Sequence, residues 1–246
     1  MPVIVWILLA TITVSLISLV GVISLSIKGN LLQRILLLLV GFSAGTLIGG
    51  AFLHLLPETL ERLSTPTTFL FVLIGFSFFF IMERVLFWRH CHDEHCSYHS
   101  FTYLNLYGDG IHNFLDGLII AGSFVAGIPV GIATTLAVIT HEIPQELGEF
   151  GVLIYGGFSK MRALFFNLLS ALMAVAGGII GYYLSLNCFG FDVFLLPFTA
   201  GGFIYIGASD LIPELHKEKV SWKSNLAFAS FLLGLLFMWG TKQLLR

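Results

Sequence analysis

The sequence predicts an all-α integral membrane protein with eight transmembrane helices. Hydrophobic residues make up 57% of the 246 positions and charged residues only 11%. The mean hydropathy is +0.94, which lies outside the range of soluble globular proteins. Apolar runs recur along the chain, each long enough to cross about 30 Å of hydrocarbon at about 1.5 Å per residue. These runs cover residues 3–27, 35–56, 67–88, 103–126, 129–157, 160–185, 192–215 and 225–245.

The runs differ in how continuous their apolar character is. The first has no cationic lead-in and no clear cleavage site, so we expect a retained span rather than a signal peptide. Polar motifs explain the dips in hydropathy within the fourth, fifth and seventh runs. A tight turn at residues 126–129 joins the fourth run to the fifth.

Basic residues predict the orientation in the membrane. With the N-terminus outside, nine basic residues fall on the cytoplasmic side and three on the other. The nine are Lys28, Arg34, Arg84, Arg89, Lys160, Arg162, Lys217, Lys219 and Lys223, and the three are Arg62, Lys242 and Arg246. We therefore expect a multi-pass protein of the cell (plasma or inner) membrane with both termini outside. A net charge of −2 argues against a nucleic-acid partner.

One segment of the second run recurs in the seventh. Residues 43–58 match residues 199–214 without a gap; Ala, Gly, Ile, Leu, Pro and Glu coincide, and His54 falls opposite Asp210. The two copies cross the membrane in opposite senses, which is typical of the inverted repeats of many secondary transporters. Chance similarity between two Gly-rich membrane helices is the alternative. We expect a single domain, 1–246, with repeats at about 1–90 and 160–246 around a central pair of helices at about 103–157.

Two polar motifs lie inside this central pair, His112 to Gly117 and His141 to Glu146. Imidazole and carboxylate are costly in hydrocarbon, so their presence there indicates function. Residues four apart share a helix face, and three such pairs occur: His112 with Asp116, His141 with Gln145, and Glu142 with Glu146. His112 and His141 lie about equally far from the turn, so both should sit roughly 20 Å below it, near mid-bilayer.

These side chains predict a site for a divalent transition metal as transported substrate, with no catalytic cofactor. Imidazole and carboxylate favour zinc or iron(II), and no thiolate in the motifs favours copper; manganese and cadmium are further candidates. The candidate ligands are His112, Asn113, Asp116, His141, Glu142, Gln145, Glu146 and Glu149. Asn113 and Glu142 lie about 100° around their helices from the histidines and predict a second site beside the first. Glu149, two turns beyond Glu142, is a candidate exit step.

Pro144 marks an irregularity in the fifth helix. Proline cannot donate to the carbonyl of Thr140, so we expect a kink and a freed oxygen there. Backbone of this kind is tolerated at membrane depth only where it lines a cavity or is buried in protein.

The same residues resemble the ZIP family of zinc and iron transporters. The family's fourth-helix pattern His-Asn-x-x-Asp-Gly is matched by His112, Asn113, Asp116 and Gly117. Its fifth-helix pattern His-Glu-x-Pro-His-Glu-x-Gly-Asp is matched by His141, Glu142, Pro144, Glu146, Gly148 and, as Glu for Asp, Glu149. Residues 52–58 and 200–214 are similar to the second- and seventh-helix signatures. The resemblance implies eight helices in a 3+2+3 arrangement, metal uptake into the cytosol, and a paired-metal site between helices four and five.

One residue departs from the family pattern. Gln145 stands where the second histidine is usual, and a neutral amide oxygen binds zinc more weakly than imidazole. Affinity and selectivity therefore do not carry over from the resemblance.

Other functions compete with transport. His141 to Gln145 nearly spells His-Glu-x-x-His, the zinc motif of metallohydrolases, but Gln145 removes the second histidine and Pro144 disturbs the aligning turn. A proton relay without metal and a structural hydrogen-bond ladder are further alternatives. The run from His90 to His99 is either a metal-buffering loop or a polar connector. The sequence leaves open whether two copies form a homodimer.

Overall fold

The computed structural model describes residues 1–21, 29–88, 98–155, 157–188 and 190–244, and eight helical rods account for most of them. The rods are α1 (Val3–Ile17, continued by a 3₁₀ turn at Ser18–Val20), α2 (Gly29–Gly50, Ala51–Leu55 and Leu56–Leu60), α3 (Thr65–Trp88), α4 (Tyr98–Ala126), α5 (Ile128–Tyr155), α6 (Lys160–Ala171 and Met173–Asn187), α7 (Phe191–Tyr205, Ile206–Leu211 and Ile212–His216) and α8 (Ser221–Leu244). No strand occurs in these ranges. The predicted all-α class and eight helices are confirmed, while the run from His90 to Cys96 lies outside the described residues.

The chain is a multi-pass membrane protein. In the described ranges, five helices are long and apolar enough to cross a bilayer, Val3–Val20, Ile35–Leu60, Thr65–Val85, Lys160–Asn187 and Ser221–Leu244. A shorter apolar stretch, Val193–Ser209, belongs to α7. The helices α4 and α5, which carry the polar motifs, fall outside this set. Large apolar side chains face outwards on the rods, as a lipid environment requires.

Glycine sets the distance between α2 and α8, which pack closely along each other. A Cβ on Gly45 would overlap the carbonyl oxygen of Phe231, and one on Gly234 would overlap that of Phe42. Only glycine therefore permits this approach of the two backbones, the usual way in which membrane helices gain close contact.

The same arrangement joins α3 to α7. A Cβ on Gly75 would overlap the carbonyl oxygen of Phe198, and one on Gly201 would overlap that of Val72. We call these two helix pairs, α2 with α8 and α3 with α7, the glycine crossings. Their contacts correspond, because Phe42 and Gly45 occupy the positions in α2 that Phe198 and Gly201 occupy in α7.

Both α2 and α7 contain a π-helical segment at matching positions. The segments are Ala51–Leu55 and Ile206–Leu211, and each continues directly into a short α-helix. The second residue of each short helix is a proline, Pro57 or Pro213. Proline cannot donate to the carbonyl four residues earlier, and the wider π turn occupies the place where that regular bond is missing.

The helices α4 and α5 occupy the centre of the bundle. They pack against each other and are joined at Gly127, so the predicted turn is confirmed. At this turn Arg62, two residues after the end of α2, donates from Nη2 to the Ala126 carbonyl (2.5 Å) and pairs with Glu58 (2.6 Å). The other face of α4 lies on α6, where a Cβ on Gly117 would overlap the carbonyl oxygen of Ala174.

Candidate metal centre

Four side chains from α4 and α5 converge in the centre of the bundle. They are His112 and Asp116 on α4 and His141 and Glu142 on α5, and one ligand atom of each lies within 4.8 Å of all the others. The helices run antiparallel from the Gly127 turn, which brings the two motifs to the same level. We call this cluster the metal centre. It is the one such group of His, Cys, Asp and Glu side chains found among the described residues.

The two imidazoles face each other and both carboxylates. The Nε2 atoms of His112 and His141 are 3.3 Å apart. The Asp116 Oδ2 atom lies 3.2 Å from the Nε2 of His141 and 3.7 Å from that of His112. Glu142 Oε1 lies 3.3 Å from the Nε2 of His141 and 3.4 Å from that of His112. Two nitrogens and two carboxylates around one point are a suitable donor set for zinc.

The metal centre is shielded from its surroundings on most sides. The side chains of Asp116, His141 and Glu142 are 1%, 2% and 0% exposed, whereas that of His112 is 12% exposed and forms the most open edge. Asp116 Oδ2 and both carboxylate oxygens of Glu142 are buried without a well-formed hydrogen bond. Buried anionic oxygens of this kind are costly unless a cation neutralises them.

The ring of His141 is held in position by its own helix. Its Nδ1 atom lies 3.2 Å from the Ala137 carbonyl oxygen, the acceptor one turn earlier. When Nδ1 carries the proton and donates it to this carbonyl, the Nε2 lone pair is directed at the metal centre. Metal-binding histidines commonly use their other ring nitrogen for such a hydrogen bond to a backbone carbonyl. The Phe203 ring on α7 packs against the imidazole at 6.3 Å between centroids.

The backbone next to Pro144 is satisfied from another helix. The Thr140 carbonyl, which Pro144 cannot engage, accepts a hydrogen bond from the Ser43 hydroxyl on α2. The hydroxyls of Thr46 and Thr140 lie 2.5 Å apart beside it. The helix α5 continues through this point from Ile128 to Tyr155. The Ser43 hydroxyl of α2 replaces the donor that proline lacks and anchors α5 at the level of the metal centre.

Three further predicted ligands lie in a second polar layer, one turn from the metal centre. Asn113 Nδ2 donates to the backbone oxygen and to Oδ1 of Asp109, both at 3.1 Å. Gln145 Nε2 lies 3.4 Å from the same Asp109 Oδ1. Glu146 Oε2 accepts from Asn167 Nδ2 on α6 at 2.5 Å. The side chains of Asn113 and Gln145 therefore engage Asp109, and Glu142, predicted for a second site, lies in the first.

Glu149 lies one turn beyond Glu146 on α5 and is half-buried. It is not part of the four-residue cluster. Of the eight predicted ligands, the structure thus brings four together, places three in the second layer, and leaves Glu149 further along the same helix.

The sequence reasoning overlooked three residues of the second layer. Asp109 is a buried carboxylate in an apolar run, three residues before His112, and the rule applied to the motifs could have found it. Asn167 and Ser170 carry no such signal, because serine and asparagine are common in membrane helices. Their part becomes visible only when α6 packs on α4, which places Ser170 Oγ 2.5 Å from Asp109 Oδ2.

Comparison with known proteins adds a family match. The family model described as "ZIP Zinc transporter" matches residues 2–100 and 89–242. "Zinc transporter zipt-7.1" of Caenorhabditis briggsae is 32% identical, over 72% of this chain and 61% of that protein. "Zinc transporter zipt-7.2" of Caenorhabditis elegans is 41% identical, over 56% of this chain and 31% of that protein. Human "Zinc transporter SLC39A7" is 40% identical, over 55% of this chain and 30% of that protein.

The chain covers less than two thirds of the length of each of these relatives. All three carry the name of a transporter, and none of these matches supports the hydrolase alternative.

Proposed function

This chain belongs to the ZIP zinc transporter family, and on that premise we propose that it carries divalent transition-metal ions across the membrane into the cytoplasm, zinc foremost. Iron(II), manganese and cadmium are further candidate substrates. The observation that carries the proposal is the metal centre, where two imidazoles and two carboxylates meet within 4.8 Å in the middle of the helix bundle.

The charges of the metal centre suit a divalent cation. Asp116 and Glu142 supply two negative charges, and the two histidines supply neutral donors when they bind a metal. A bound dication would be balanced by the two carboxylates, which removes the large cost of holding a bare charge away from water. Two imidazoles also favour zinc over cations that prefer oxygen ligands only.

The position of the metal centre supports a passage through the membrane. His112 lies fourteen residues before Ala126, so the centre is roughly 20 Å from the turn between α4 and α5 at about 1.5 Å per residue. That places it near the middle of a bilayer about 30 Å thick. Asn113, Gln145, Glu146 and Glu149 continue the polar surface beyond it. We propose that they take part in the later passage of the ion.

We further propose a 3+2+3 arrangement, with α1–α3 and α6–α8 as inverted repeats around α4 and α5. The glycine crossings support it, because α2 meets α8 as α7 meets α3, with equivalent glycines and carbonyls in contact. The matching π-helical segments in α2 and α7 support it independently. Repeats of opposite topology typically form such sites at their interface, near the midplane.

The proposed orientation has both termini outside, in the plasma or inner membrane, as the nine-to-three distribution of basic residues indicates. Cys188, exposed between α6 and α7, would then face outwards, and Cys91 and Cys96 would face the cytoplasm. An impermeant thiol reagent applied to intact cells should label Cys188 and spare the other two. If Cys91 and Cys96 are labelled and Cys188 is not, the protein has the opposite orientation in the membrane. Crosslinking in the same membranes tests for a homodimer.

Uptake of radioactive zinc into proteoliposomes tests the proposed function. His141→Ala removes a metal ligand, and we expect uptake to fall at least tenfold, about the loss produced by disturbing even the outer contacts of metal sites. His216→Ala is the matched control, because His216 is exposed at the end of α7 and should leave uptake unchanged. Normal uptake by His141→Ala would show that the metal centre is not on the path. Competition by iron(II), manganese and cadmium ranks the substrates.

A further inference from the structure

The second polar layer connects α4, α5 and α6 one turn away from the metal centre. We call it the oxygen layer and define it by Asp109, Asn113, Gln145, Glu146, Asn167 and Ser170. Two links hold it together around α6. Ser170 Oγ donates to Asp109 (2.5 Å) and lies 3.0 Å from the Asn167 backbone oxygen, while Asn167 Nδ2 donates to Glu146.

Every side-chain amide group that bonds a carboxylate in the oxygen layer does so through its nitrogen. The side-chain nitrogens of Asn113, Gln145 and Asn167 each lie within hydrogen-bond distance of a carboxylate oxygen. A carboxylate accepts and an NH₂ donates, so these contacts fix which amide atom is oxygen. The amide donors are therefore engaged, and Asn167 Nδ2 also reaches the Ser18 backbone oxygen (3.3 Å) outside the layer.

Three acceptor oxygens remain without a partner. Asn113 Oδ1, Glu146 Oε1 and Asn167 Oδ1 are buried and accept no hydrogen bond, and all three residues are 0% exposed. Each amide oxygen sits on the same carbon as a nitrogen that bonds Asp109 or Glu146. Leaving a buried acceptor unsatisfied is costly, and a cation bound in the layer would offset that cost.

The protein itself does not supply that partner. Asp109 and Glu146 form no ion pair with a lysine or arginine in the described part of the chain. Ser170 and Asn167, three residues apart on α6, bond Asp109 and Glu146 respectively and so connect the two carboxylates. The surplus is thus of oxygen acceptors and of negative charge, which is the environment that a divalent cation requires.

We propose that the oxygen layer is a second station for the transported cation, with Asp109 and Glu146 as the charged ligands and the amide oxygens of Asn113 and Asn167 as neutral ones. The station rests on the proposed function, since it takes its ion from the metal centre. It differs from a pair of sites between α4 and α5, because Asn167 of α6 is a ligand and Glu142 is not.

Its chemistry gives the station a role. It contains no imidazole, and oxygen-only sites hold zinc less firmly and favour harder cations such as manganese. It lies on the side of the metal centre towards the start of α4 and the end of α5, which is the cytoplasmic side in the proposed orientation. An ion passing from a nitrogen-containing site to a weaker oxygen site moves towards release, as conduction requires.

Manganese binding to the purified full-length protein in lipid nanodiscs tests the station, with the loss of the free Mn²⁺ electron paramagnetic resonance signal as readout. The wild type should bind two equivalents, one of them displaced by zinc at lower concentration. His112→Ala/His141→Ala should lose the equivalent that zinc displaces readily and keep the other. Asp109→Asn/Glu146→Gln, which preserves the shape of both side chains, should lose only the second equivalent.

Glu61→Gln is the matched control, because it makes the same kind of change at an exposed carboxylate at the end of α2 and should keep both equivalents. Gel filtration and thermal unfolding verify that each variant is folded. If the Asp109→Asn/Glu146→Gln variant still binds both equivalents, the station is wrong. The three oxygens without a hydrogen bond would then have a proton or a water molecule as their partner. His112→Ala/His141→Ala that keeps both would instead overturn the metal centre, so the two proposals fail separately.

Discussion

The glycine crossings and the centre around α4, α5 and α6 solve the same problem, close helix packing in lipid, in different ways. At the crossings backbone meets backbone, and Ser230 Oγ on α8 also donates to the Leu38 carbonyl on α2 (2.7 Å). In the centre, polar side chains fill the space and several buried oxygens remain unsatisfied. Lipid offers little hydrophobic drive for helix association, so close backbone contact supplies the frame. The helix α4 belongs to both regions, because Gly117 also brings its backbone against that of α6, so the metal centre is built on a helix that glycine packing holds in place.

The largest expected effect comes from breaking a glycine crossing. Gly75→Val places a side chain against the backbone oxygen of Phe198, and we expect the free energy of unfolding to fall by about 3 kcal/mol, the upper part of the range for overpacking. The measurement is thermal unfolding in detergent, together with the yield of monodisperse protein.

Gly240→Val provides the control, since a Cβ on Gly240 meets no atom within 4 Å. It should change the free energy of unfolding by no more than about 0.5 kcal/mol. Equal damage by the two variants would remove the distinction between crossing glycines and other glycines.

The second prediction concerns the stabilisation of the folded protein by zinc bound at the metal centre. Zinc at one hundred times its dissociation constant should raise the free energy of unfolding by about 2.7 kcal/mol. Asp116→Ala/His141→Ala should abolish this gain, and Gly240→Val should keep it. If the double variant is stabilised as much as the wild type, zinc binds elsewhere.

A smaller effect is expected at the hydrogen bond between α2 and α5 beside the metal centre. Ser43→Ala removes the donor to the Thr140 carbonyl, which should cost about 1 kcal/mol of stability. Zinc affinity should fall as well, because α5 loses its anchor beside His141. Ser77→Ala, on an exposed position of α3, is the control and should alter neither quantity. A Ser43→Ala protein with unchanged stability would show that another group takes over the carbonyl.

The smallest effect is predicted at Gln145. Its amide lies 3.4 Å from Asp109, while its position four residues after His141 puts it on the same face of α5. Gln145→His should tighten zinc binding and shift uptake competition towards zinc, because imidazole is the better ligand. Competitive uptake and equilibrium binding measure the change, and turnover should fall as release slows. Unchanged zinc affinity would confine Gln145 to the oxygen layer.

The sequence was sufficient for the helices because lipid imposes long apolar runs on them. The expected spans end close to the observed helices, and even the turn at Gly127 was predictable. The motif residues were predictable as a group: His112, Asp116, His141 and Glu142. Polar side chains at one depth of two antiparallel helices avoid lipid by turning towards each other. Their convergence follows from helix geometry alone.

What the sequence did not reveal depends on contacts between helices. Spacing gives the face on which Gln145 lies but not its rotamer, and Asp109 competes for its amide. The similar contacts of Gly75 and Gly234 were not foreseen, since they depend on which helices pack together. The π-helical segments were also unforeseen, because residue preferences do not distinguish a π turn from an α turn.

The π-helical segment of α2 sets the rotation of the last turns of that helix about its axis. A π turn holds one residue more than the α turn it replaces, so Ala51–Leu55 reads as an insertion absorbed inside the membrane. Deleting one residue there would restore a regular helix and rotate everything after it by about 100°. Arg62 would swing away from the Ala126 carbonyl, and the turn between α4 and α5 would lose its tether. One apparently spare residue thus sets the angular register between the last turn of α2 and the helices of the metal centre.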